Sequence, residues 1–203
     1  MRGASDVCIL SKTRSMRKIL LSIAPLLITV FLSAQGVFSN KTQSVLEKVI
    51  QDYPNRFTHI KGEQIQQTGQ TTEYRSTVQL QGSSPGVITL NNTGSSDEDS
   101  WTCAVSEAEG FEQAKDKYHE VFAQIRNSII TSGQKTFILT GQYEDPSSDK
   151  KCSHVVFSLL PGVGEMKKVK VELSLREEAK AWKITLRVYD SDLKETQGAV
   201  TAN

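Results

Sequence analysis

The same order of turn and apolar signals occurs twice in this 203-residue chain, about 79 residues apart, so the chain reads as two copies of one folding unit. Ile60-Lys61-Gly62 corresponds to Leu139-Thr140-Gly141, and Val78-Gln79-Leu80 to Phe157-Ser158-Leu159. Pro85-Gly86-Val87 sits at nearly the same offset from Pro161-Gly162-Val163, and Trp101 falls near the place of Trp182.

Each unit opens on a helical pattern. In the first, Val45, Leu46, Val49, Ile50 and Tyr53 share one face, Asn40 with Gln43 offers a capped start, and Pro54 ends the run. In the second, Phe111, Ala114, Tyr118, Val121, Phe122, Ile125 and Ile129 form a longer stripe. Ser106 and Glu109 have the spacing of a capping box there, and Gly133 is placed to stop the helix. Period-two segments follow. Tyr74, Ser76, Val78 and Leu80 alternate with polar neighbours, as do Val169, Val171, Leu173 and Leu175, and Trp182, Ile184, Leu186 and Val188. Such alternation marks antiparallel strands with one buried and one wet face. The buried face needs a cover, which two amphipathic helices can supply. The predicted fold class is α+β: duplicated helix-plus-four-strand units forming one curved antiparallel sheet, with both helices packed on one face. A single domain spans 40–190, with repeat 1 at about 40–106 and repeat 2 at about 107–190; 191–203 are expected to be a flexible tail.

That element order resembles the cystatin-like and beta-lactamase-inhibitor-like duplicated helix-plus-four-strand folds, many of which are secreted binding or inhibitory modules. The resemblance covers most of 40–190 and is one of element order. The Gln-x-Val-x-Gly loop of cystatins is replaced here by Gln79-Leu80-Gln81-Gly82. It implies a binding role through analogy of fold alone.

Upstream of this domain the chain carries an address. Arg17 and Lys18, with Arg14 before them, precede an uncharged apolar run from Ile19 to Leu32; Ser33, Ala34 and Gln35 then offer a small-residue exit. The run is shorter than the roughly 20 apolar residues that span a bilayer, and Pro25 interrupts it. Residues 1–34 are expected to be a cleaved signal peptide, ending at Leu32-Ser33-Ala34, with Met16 as a candidate working start. The protein is then exported, to a periplasm or to the medium. The whole chain has a formal net charge of +1, but five of its 24 basic and one of its 23 acidic residues precede Gln35, which leaves the remainder at −3. That speaks against nucleic acid, whose binders carry a clustered basic footprint. No run of Lys and Arg is long enough to hold an anionic membrane surface, so no stable membrane association is expected after cleavage.

Chemistry is sparse. With Cys8 lost alongside the signal, Cys103 and Cys152 remain, an even pair that in an oxidising compartment suggests a disulfide. Strand parity opposes it: Cys103 alternates with Trp101 and Val105 onto the core face, whereas Cys152 shares parity with His154 and points away. His59, His119 and His154 lack metal-ligand spacing, and neither a Gly-x-Ser-x-Gly elbow nor a phosphate-cradling loop occurs. Cys152 precedes His154 by two residues without the rest of a nucleophilic site. Asp97-Glu98-Asp99 lacks the spacing of a calcium loop and reads as a polar turn, as does Glu144 to Lys151. Asn40-Lys41-Thr42 and Asn91-Asn92-Thr93 are glycosylation acceptors in a eukaryotic host. One surface feature remains: Lys168, Lys170, Lys183 and Arg187 collect on the wet face of the second unit against Glu172. They form a candidate partner-binding sheet face, or simply keep an exposed sheet soluble.

The functional expectation is a non-enzymatic, exported binding protein acting through its open sheet face, with an unknown protein or envelope component as partner and no cofactor. An envelope carrier of a small ligand or lipid is the alternative, although Phe111, Phe122, Phe157, Trp101 and Trp182 are large enough to fill the core. An enzyme comes third.

Overall fold

The computed structural model describes residues 41–92 and 99–190. The expected signal peptide, the Asn40 cap and the C-terminal tail lie outside these residues, as do Asp97 and Glu98. Helix α1 (Lys41–Asp52) buries Val45, Leu46, Val49 and Ile50, the face its apolar spacing defines. Pro54 sits in the 3-10 turn Tyr53–Asn55 that ends it. Strands β1 (Lys61–Gln67), β2 (Thr71–Ser76), β3 (Val87–Asn91) and β4 (Ser100–Ala108) complete the first unit. Helix α2 (Phe111–Arg126) opens the second, which continues through β5 (Ile129–Ser132), β6 (Lys135–Thr140), β7 (Cys152–Leu160), β8 (Val169–Glu178) and β9 (Ala181–Asp190).

The nine strands of the described residues form one antiparallel sheet in the order β1-β2-β3-β4-β9-β8-β7-β6-β5. The order is a palindrome of the two units. Their last strands, β4 and β9, meet at the centre, and the earlier strands run outward in reverse. Trp101 and Trp182 are each the second residue of those central strands, as the duplication requires. The second unit carries one strand more, the short β5. Alternate residues build the covered face: Trp101 and Cys103 on β4, Val171, Leu173 and Leu175 on β8, Ile184, Leu186 and Val188 on β9. Helix α2 lies over β4, β6, β8 and β9, while α1 packs against α2 and β5. Thr42 Oγ1 donates to Gln124 Oε1 at 2.5 Å across the two helices.

Both sheet edges are blunted, by different devices. At β5, Glu47 Oε1 of α1 accepts from the Thr131 N–H at 2.9 Å, and Gln51 Nε2 donates to the Thr131 carbonyl at 2.5 Å. Helix side chains thus occupy the backbone groups that a further strand would need. At β1, two register shifts place extra residues on the edge strand, which is exposed from Gly62 to Gln67.

Several local expectations are corrected. Ser106 is no capping residue: it stands in β4 opposite Ile184, and α2 starts after Gly110 without a side-chain cap. Pairing with β9 claims the backbone through Ala108, so the helix begins later than its polar residues suggest. The helix also stops at Arg126, with Asn127 as its cap; Ile129 belongs to β5, and Gly133 (φ +60°) turns the β5–β6 hairpin. Strand β2 ends at Ser76, not Leu80. The Ser76 hydroxyl accepts from the Val78 N–H at 3.1 Å and from Trp101 Nε1 at 3.0 Å, which turns the chain, and Leu80 reaches the core from a loop. Val105 falls where the β4–β9 register shifts, so its parity is lost and it is only half-buried.

Candidate functional site

Because both helices lie on one side, side chains of the opposite parity form a second, accessible face. The strand register aligns them in rows. Val156, Glu172, Arg187 and Thr102 stand across β7, β8, β9 and β4; Ser158, Lys170 and Tyr189 form the next row. Three of the four cations singled out from the sequence lie here. Lys170 Nζ donates to Ser158 Oγ at 2.9 Å, and the Arg187 guanidinium carbon lies 4.8 Å from the centroid of the Tyr189 ring. Lys183 Nζ is 3.4 Å from Glu178 Oε2, and sits about 13 Å along β9 from Arg187 at the usual strand rise. Lys168 is brought elsewhere: it follows the 3-10 turn Gly164–Lys167, at the end of the sheet rather than on its face. Lys170 and Arg187, with Tyr189 and Glu172, are the residues that actually come together.

A second cluster escaped the sequence reading. Asp52 is 6% exposed at its side chain, and its carboxylate accepts from the backbone N–H groups of His59 at 2.8 Å and Ile60 at 3.1 Å. It also accepts from Asn55 Nδ2 at 3.2 Å and lies 2.5 Å from His59 Nδ1. Holding Nδ1 in this way leaves an exposed imidazole edge, the arrangement that orients a histidine for proton transfer or metal binding. Here it closes the turn after α1, where Arg56 and Phe57 take positive φ. Among the described residues no group of three metal-ligating side chains forms.

The same connection ties down two further carboxylates. Arg56 Nε donates to Asp99 Oδ2 at 2.6 Å and Nη2 to Oδ1 at 3.1 Å, which raises the arginine pKa. Asp99 also accepts from the Asn91 N–H at 2.8 Å. Its oxygens are thus engaged by a part-buried ion pair and by the Asn91 N–H. Asp190, at the end of β9, accepts from the Tyr53 hydroxyl. Asn91 itself is buried, which removes it as an accessible glycosylation acceptor.

Cys103 is buried and Cys152 exposed, both as free thiols. Burial pushes the Cys103 thiol up. The register runs Cys103, Leu186, Leu173, Val155, so three strand spacings, about 14 Å, separate β4 from β7, against the less than 7 Å that a bridge tolerates. His154 is exposed on the open face, and His119 meets the Tyr143 ring edge-on at 5.5 Å. The β6–β7 loop that carries Tyr143 is held to α2 by Lys115 Nζ, which donates to Asp145 Oδ2 at 2.6 Å and keeps that carboxyl below its ordinary range.

One further feature was illegible. Ile129, Ile138 and Leu160 project from the open face of β5, β6 and β7. Phe137-Ile138-Leu139 and Leu159-Leu160 are unbroken apolar runs, which hide the parity that would have revealed an apolar outer row. No helix among the described residues is long and apolar enough to cross a membrane. Comparison with protein-family models, with curated proteins and with solved structures finds no match to this chain.

Proposed function

We propose that this chain is an exported, non-enzymatic binding protein that engages an anionic partner through the open face of its sheet. One asymmetry carries the proposal: both helices cover one face, while the other keeps Lys170, Arg187 and Tyr189 half-exposed on the last two strands of the second unit. Each cation already has a local contact, so little side-chain freedom remains to be lost on binding. Poly-L-glutamate at low ionic strength is a suitable probe. Binding is expected to disappear in Lys170→Glu/Arg187→Glu and to survive Lys48→Glu on the outer face of α1. Absent binding, or equal loss in both variants, would contradict the proposal. Export is tested separately by the intact mass of the protein recovered from expressing cells, which is expected to begin near Gln35; a mass that retains residues 1–34 would contradict cleavage.

A carrier of small ligands ranks second. Trp101, Phe57, Phe137, Phe157 and Tyr118 are fully buried side chains that fill the space between helices and sheet. Among the described residues, an open cleft of about 380 Å³ beside Arg126 and Ile138 is a place for a ligand.

A further inference from the structure

At one corner of the open face the exposed side chains are aliphatic. The register sets Ile129 beside Ile138 and Ile138 beside Leu160, in one row across three strands, at 51%, 49% and 47% exposure. Val163 adds a fourth in the turn after β7, at 37%. Single exposed aliphatics are ordinary on a protein surface; a contiguous row is not.

The charges around this row are mostly positive, with Glu47 at the β5 edge and Glu165 as exceptions. Arg126, at the end of α2, lines the same cleft as Ile129 and Ile138. Strands β6 and β7 are antiparallel with Ile138 opposite Leu160, so the β5–β6 hairpin and the β7–β8 turn leave the sheet at the same end. Among the described residues, that end presents Lys135, Lys167 and Lys168, all exposed, with Glu165 exposed in the β7–β8 turn and the carboxylates of Asp99 and Asp190 buried. The cations are scattered in sequence, which is why no basic run announces them.

A second copy of this corner would set cation against cation. Four partly exposed side chains also offer far less surface than the roughly 800 Å² per partner of a stable protein interface. A surface that supplies negative charge and apolar depth together suits the corner better. We propose that this corner docks reversibly on an anionic phospholipid surface. Ile138, Leu160 and Val163 enter the interfacial layer, and Lys135, Lys167 and Lys168 lie on the headgroups. The inference rests on the open face being the docking surface, and names the class of partner.

The test is vesicle flotation of residues 40–203, whose described residues form one compact unit. Vesicles of phosphatidylcholine are compared with vesicles containing phosphatidylglycerol. Flotation is expected only with phosphatidylglycerol, weakening at high salt. Ile138→Glu/Leu160→Glu and, separately, Lys135→Glu/Lys167→Glu/Lys168→Glu should each lower the bound fraction by about tenfold or more. Circular dichroism verifies folding; if the first variant fails to fold, the second, confined to exposed positions, decides. No flotation, flotation indifferent to vesicle charge, or flotation that the deciding variant leaves unchanged would overturn the proposal. Binding of poly-L-glutamate without flotation would overturn the lipid assignment alone. Loss of both would overturn the open-face reading as well.

Discussion

Asp52 shows how much of a connection can depend on one carboxylate. Asp52→Ala strands two backbone N–H groups, at His59 and Ile60, where the carboxylate now satisfies them. The cost is expected to be about 2–4 kcal/mol, read as a lower urea midpoint. Gly141 has a different kind of importance. A Cβ there would lie 2.8 Å from Phe157 Cδ1 and 3.0 Å from Val155 Cγ1, so Gly141→Ala should destabilise by about 1–3 kcal/mol in the same assay. Tyr143 links residue chemistry to pH. Burial first, and its bond to Asp145 second, push its hydroxyl up to about 12. The neutral form is the one the fold favours, so this contribution is intact below the unfolded value near 10 and lost as pH rises through 12. The stability of the wild type should therefore fall relative to Tyr143→Phe over that window, and parallel curves would contradict the assignment. None of these three roles was legible beforehand. Each depends on which side chain a turn or loop brings near, and Asp52 meets its partners across a left-handed turn that no periodicity encodes.

Among the elements, α1 does two things that its apolar stripe does not reveal. The stripe foretold the buried face, while the polar residues Glu47 and Gln51 close the β5 edge through Thr131. Removing both, as Glu47→Ala/Gln51→Ala, should speed amide hydrogen exchange at Thr131 and neighbouring β5 positions and leave the central strands protected. Unchanged exchange at Thr131 would show the edge closed by other means. The long strands β8 and β9 were legible because one face is dry and the other wet along their whole length. The start of α2 was misjudged because Ser106 and Glu109 satisfy a capping pattern in sequence, yet strand pairing to Trp182 and Ile184 holds that stretch extended. The Lys168, Lys170, Lys183 and Arg187 set was half legible. Parity found the face, but the turn before β8 and the length of β9 separate its members.

For the molecule as a whole, repetition foretold two helix-strand units and one curved sheet with both helices on one side. It did not foretell that the units join through their last strands. The β4–β9 pairing connects residues some eighty positions apart, a contact no local pattern can carry. Duplication also does not make the two tryptophans equal. Trp101 is wholly buried and donates to Ser76, whereas Trp182 keeps 8% exposure and packs edge-on to Phe111 at 4.9 Å. Of the two sides of this sheet, the uncovered one is proposed to be where the protein binds. The most direct measurement is a set of amide correlation spectra of residues 40–203 during titration with poly-L-glutamate. Shifts are expected on the open-face rows of β7, β8 and β9, around Lys170, Arg187 and Tyr189, with the outer faces of α1 and α2 unmoved. Shifts confined to the helices, or none at all, would contradict the proposal.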